Sequence, residues 1–187
     1  MAASASVPIA AAAAAAARRR RTTVAARLIH HAPQVAANVD WDMLDRAPAW
    51  LSLPDDQLAA LQRRIGALLH LRAMRLWIDG PRLGIARAVL GASFLHNLLA
   101  QPEVAAVPAG SVTLPHIDTA SQVSPLLQAT GASVLLASLR AGPLHDAAAA
   151  LLAPVVAAEM HAELAETLIA RAEASVQDCA VPWGGVA

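Results

Sequence analysis

The stretch Ser52–Gly91, SLPDDQLAALQRRIGALLHLRAMRLWIDGPRLGIARAVLG, decides the fold. Ser52-Leu53-Pro54-Asp55 reads as a helix start, because a serine cap, a proline in the first turn and acids near the positive end of the helix dipole all agree. Leu58, Leu61, Ile65, Leu68, Leu69 and Leu76 recur at helical spacing, so one stripe is apolar while Arg63 and Arg64 point outward. The helix is predicted to end near Ile78, where Asp79-Gly80-Pro81 supplies a stop and Pro81 opens the next helix. That second helix carries Leu83, Ala86, Leu90, Phe94 and Leu98 on one face, with Gly84 and Gly91 small enough for close packing. A helical hairpin over residues 52–100 is the result.

Outward from the hairpin the pattern stays helical. Ser124-Pro125 starts a third helix running to about Arg140, closed by Gly142-Pro143, and a last helical region spans His145 to about Gln177 with a kink at Pro154. Between the hairpin and the third helix, Pro102, Pro108, Gly110 and Pro115 make Gln101–Gln122 a loop, with Ser111–Leu114 read as a short strand within it. Upstream, Pro33 and Asp40-Trp41-Asp42 mark a turn or short helix that resembles a docking strap. Residues 1–27 read as a low-complexity, disordered Ala/Arg-rich tail, residues 28–178 as a single compact helical domain, and 179–187 as a loose tail. The fold class expected is mainly α, a helical bundle with a loop-rich middle and a kinked C-terminal helix.

Composition agrees. Of 187 residues, 57% are hydrophobic and 15% charged, which excludes global disorder. Much of the apolar share is alanine, the best helix former. All 14 basic residues are arginine, a choice that reads as coding bias rather than geometry. The formal net charge is zero, yet residues 1–100 hold 12 Arg against 6 Asp (+6), and residues 101–187 hold 2 Arg against 8 acids (−6). Such a dipole suits either attraction between the halves or a basic face meeting an acidic partner. The lone Cys179 fits a reducing compartment. Arg18–Arg21 follow the apolar run instead of preceding it, so a secretory signal is not expected, and no run of about 20 apolar residues predicts a spanning helix.

The chemistry-bearing patterns are sparse. No phosphate loop, zinc-protease pair, paired-cysteine spacing, nucleophile elbow or dinucleotide fingerprint occurs, so no catalytic, cofactor-binding or metal residue is assigned and no enzymatic activity is expected. Ser93 and Ser133 follow Gly-Ala but lack the second glycine of the elbow. His145, Asp146, His161 and Glu163 do not share a helical face, and the neighbours His30 and His31 point apart on a regular element. The hairpin also has the outline of a helix-turn-helix, with Arg82 and Arg87 able to face phosphates. A DNA-binding regulator is therefore the alternative function, disfavoured by zero net charge and by the few base-reading side chains on the second helix.

The segments Leu51-Ser52-Leu53-Pro54, Gly66-Ala67-Leu68-Leu69-His70, Leu76-Trp77-Ile78-Asp79-Gly80-Pro81-Arg82-Leu83 and Arg87-Ala88-Val89-Leu90-Gly91 resemble the SctK family of bacterial type III secretion, which includes YscK-like, OrgA-like and Hrp-type accessory proteins. The resemblance is firmest over Trp50–Gly91 and covers less than half of the chain. It implies a cytoplasmic subunit of the sorting platform, at the inner face of the bacterial inner membrane, linking the ring protein SctD to the pod protein SctQ without a cofactor. Within that reading, Arg63, Arg64, Arg82 and Arg87 are expected to form one partner surface, and Glu159, Glu163 and Glu166 to contribute to another.

Overall fold

A computed structural model describes residues 6–77, 80–102, 119–152, 155 and 160–179, with side chains left undescribed at 6–9, 120 and 176–179. The described residues are mainly α-helical and contain no strand. The expected strand at Ser111–Leu114 and the kink at Pro154 lie outside them. The chain divides into two compact units, Met1–Asp55 with Arg140–Leu152, and Asp56–Leu139 with Ala153–Ala187.

The first unit is built on α1 (Ser6–His31), which packs against α2 (Pro33–Ala36), α3 (Trp41–Asp45), a 3-10 turn at Ala49–Ser52 and α9 (Pro143–Leu151). Residues 6–27, the described part of the tail expected to be disordered, are therefore helical. The alanine run gives α1 its propensity, and Val24 and Leu28 are fully buried one turn apart. Three arginines then fasten the helix. Arg20 donates to the Ala47 carbonyl, Arg21 pairs with Asp45 at 3.0 Å, and Arg27 donates to the Leu51 and Leu53 carbonyls and pairs with Asp55. The guanidinium reaches these acceptors from two separate nitrogens of one planar group, a spread that the single nitrogen of a lysine does not match. Geometry therefore uses the guanidinium here, where composition suggested coding bias alone. The strap includes the short helix expected at Asp40-Trp41-Asp42: the Asp40 carboxylate caps α3 by accepting from the Met43 amide at 2.7 Å.

The second unit holds α4 (Asp55–Leu69), α5 (Leu71–Arg75), α6 (Gly80–Leu90), α7 (Ala92–Ala100), α8 (Ala120–Ala137) and α10 (Ala162–Cys179). Leu58, Leu61, Ile65, Leu68 and Leu69 are all buried, as their periodicity predicts, but Leu76, read into the same stripe, is exposed, because the helix breaks at His70 and Leu76 ends the separate helix α5. Ser52 does not cap α4; its hydroxyl donates to the Ala49 carbonyl at 2.7 Å within the preceding 3-10 turn. Nor does the helix run unbroken to Ile78. It pauses at His70, whose amide still donates to the Gly66 carbonyl at 3.0 Å.

The second hairpin helix is two helices. Gly91 adopts φ +86°, a backbone region open to glycine and strained for other residues, and α6 and α7 meet there at 113°. Gly91 thus sets a corner, contrary to the close-packing role read from sequence: a Cβ at Gly84 or Gly91 would meet nothing within 4 Å. Close packing falls instead to Gly66 and Gly131. A Cβ on Gly66 would stand 2.9 Å from Leu127 Cα, and one on Gly131 would stand 2.7 Å from Gln62 Cα. Each glycine admits the other helix's backbone, so α4 and α8 cross at reciprocal contact. The helix α8 also begins a turn earlier than expected, at Ala120, and accommodates Pro125 internally.

Among the described residues no single helix is long and apolar enough to cross a membrane; only the bent pair α6 and α7 passes that test jointly, by length and composition.

Candidate partner surface

In the second unit, α8 packs against both α6 and α10. This places a helix carrying Arg82 and Arg87 and a helix carrying Glu163 and Glu166 on one support. The helix α10 is amphipathic by construction: Ala165, Leu168, Ala172 and Ser175 are buried at helical spacing, while Glu163, Glu166, Ala170 and Glu173 are exposed on the other side. Among the described residues these three glutamates pair with no cation.

The expected basic surface is less uniform. Arg87 is exposed, whereas Arg63, Arg64 and Arg82 are half-buried. The Arg64 guanidinium does not simply point outward; it lies over the Phe94 ring of α7, 5.4 Å from the centroid, an arrangement worth about 0.5–1 kcal/mol near a surface. Glu159 lies outside the described residues.

Other arginines of this unit serve the backbone. Arg75 donates to the Leu99 and Gln101 carbonyls at the C-terminal end of α7, and Arg171 donates to the Pro102 carbonyl at 3.1 Å. Cations at a helix C-terminus complement its dipole as well as its open carbonyls. Sequence periodicity alone misses this use, because the carbonyls lie 24 to 69 residues away.

Among the described residues one ionisable group is sequestered. His70 is buried at the α4–α5 junction, with Nε2 3.4 Å from Thr130 Oγ1. Thr130 donates its hydroxyl proton to the Leu126 carbonyl at 2.8 Å, so its oxygen accepts from His70, which fixes the proton on Nε2. Nδ1 is then a buried lone pair with no partner among the described residues. Burial lowers the His70 pKa from 6.5 to about 4, so the imidazole is neutral near pH 7.

The remaining candidates stay local. His30 and His31 meet edge-to-face with ring centroids 5.0 Å apart, closer than adjacent positions suggest. His145 Nδ1 lies 3.2 Å from Asp146 Oδ1. Ser133 is buried and donates to the Ala129 carbonyl at 3.0 Å, and Ser93 is exposed. Among the described residues no three His, Cys, Asp or Glu side chains are placed to hold a metal ion. No family model, curated protein or solved structure matches this chain.

Proposed function

We propose that this protein is a non-catalytic helical adaptor of a bacterial type III secretion system, an SctK-like subunit linking the inner-membrane ring protein SctD to the pod protein SctQ on the cytoplasmic side. The observation that carries the reading is the pair of oppositely charged helices on α8: Arg87 exposed on α6, Glu163 and Glu166 exposed on α10. An adaptor requires two chemically distinct surfaces held by a rigid body, and charge complementarity of this kind governs partner choice and association rate. The resemblance of Trp50–Gly91 to the SctK family supplies the identity of the partners.

The test uses the full chain as bait for purified SctD-type ring protein and SctQ-type pod protein from the same organism. Arg87→Glu is expected to lose one of the two, and Glu163→Lys with Glu166→Lys the other, with circular dichroism unchanged. Undiminished capture of both by every variant, or capture of neither by the parent chain, overturns the proposal.

A further inference from the structure

Leu76 is the most exposed large apolar residue among the described ones, at 74% of its full surface. It caps α5 in helical conformation, φ −79° and ψ −6°, so it continues the face of Arg72 one turn away. Arg72 is exposed too and pairs with no acid among the described residues. The pair therefore presents a guanidinium beside an isobutyl group, both open to solvent.

The same unit carries the complement. On the exposed side of α10, Ala170 lies between Glu166, one turn before it, and Glu173, one turn after it. A methyl floor with a carboxylate on either side suits a leucine with an arginine one turn off. Seated on Ala170, Leu76 would bring Arg72 to Glu166 or Glu173 according to the direction of approach. We infer that this protein self-associates head to tail, the Arg72–Leu76 face of one copy docking on the Glu166–Ala170–Glu173 stripe of a second copy.

Two further facts favour a second copy as the occupant. The chain's formal net charge is zero, so copies carry no overall repulsion. Its charge is segregated only along the sequence, +6 in residues 1–100 and −6 in residues 101–187, but the two faces themselves carry opposite signs, the exposed Arg72 on one and the exposed Glu166 and Glu173 on the other, so they attract between copies. Because the two faces differ, the contact is heterologous and propagates to short chains or closes a ring. One apolar side chain with flanking charges belongs to the small, transient class of interfaces. The inference is independent of the adaptor reading, although docking on Glu166 would compete with any partner bound there.

Sedimentation velocity on the full chain, between about 10 µM and 1 mM protein, reads the effect in the millimolar-to-micromolar affinity range. At 50 mM salt the weight-average mass should rise above the single-chain 19.3 kDa with concentration, and at 500 mM salt it should return towards that value. Arg72→Glu, and Glu166→Arg combined with Glu173→Arg, should each stay at single-chain mass, and an equimolar mixture of the two variants should assemble again, because alternating copies restore an opposite-charge pair at both contacts whichever glutamate Arg72 meets. Single-chain mass of the parent protein throughout, or undiminished assembly of either variant alone, overturns the inference. Neither result bears on capture of ring or pod proteins, which is measured separately.

Discussion

His70 and Thr130 are joined across the α4–α8 crossing by a buried contact of 3.4 Å in which the threonine oxygen accepts the imidazole proton. The ring is therefore held neutral in the folded chain, with its pKa lowered to about 4 by burial, while in the unfolded chain it titrates near 6.5. The unfolded state binds the proton first, so stability is full above pH 6.5, declines as pH falls from 6.5 towards 4, and levels off below. The loss approaches about 3 kcal/mol, at 1.36 kcal/mol per unit. Urea midpoints of the parent chain and His70→Gln at pH 7.5 and 4.5 check it: the parent should lose more stability on acidification than the variant, and equal losses would show that His70 is not the group responsible.

Gly66 and Gly131 should tolerate no side chain. Gly66→Ala or Gly131→Ala forces a methyl into the opposing backbone, and overpacking of this kind costs about 1–3 kcal/mol, or more where backbone cannot yield. Gly84→Ala is the contrasting case. It lies in α6 with open space above it and should stabilise the chain by up to about 1 kcal/mol through helix propensity. Thermal denaturation should move in opposite directions for the two kinds of substitution.

Gly91→Ala should disturb the corner between α6 and α7. At φ +86° an L-residue is strained by about 1–3 kcal/mol, although space for its methyl is open. A fall in the denaturant midpoint is expected, and a midpoint unchanged from the parent would contradict the corner's geometry.

Arg27→Lys should weaken the attachment of α1. The guanidinium reaches the Leu51 and Leu53 carbonyls and Asp55 together, and its side chain is only 14% exposed. Losing the fork leaves at least one carbonyl unsatisfied, a cost of about 1–3 kcal/mol. Hydrogen exchange should rise first in α1, and Arg27→Ala should exceed Arg27→Lys.

The legible part of this fold is the part carried by periodicity. The stripe Leu58, Leu61, Ile65, Leu68, Leu69 reports its own burial, because each member contributes apolar area at a fixed angle, whereas Leu76, counted in the same register, falls beyond the break at His70 and is exposed. The amphipathic α10 is legible for the same reason. What escaped sequence reading rests on single residues or distant partners. The helix α1 buries Val24 and Leu28 but is otherwise mostly alanine and arginine, so it lacks a strong stripe, and its fastening depends on carbonyls more than twenty residues away. The corner at Gly91 and the crossing at Gly66 and Gly131 both depend on glycine. Sequence cannot distinguish a glycine that turns the chain from one that admits a neighbour. The expected arginine surface was legible as residue types only; the contact of Arg64 with Phe94 required the fold.

The adaptor account is tested most directly by asking whether one copy of this chain bridges two partners. Size-exclusion chromatography with light scattering on the purified chain, the cytoplasmic part of the ring protein SctD and the pod protein SctQ should give a ternary complex that neither partner forms with the other alone. If the folded chain elutes separately from both, while binding random duplex DNA with an affinity that falls steeply with salt, it is a nucleic-acid binder and not an adaptor.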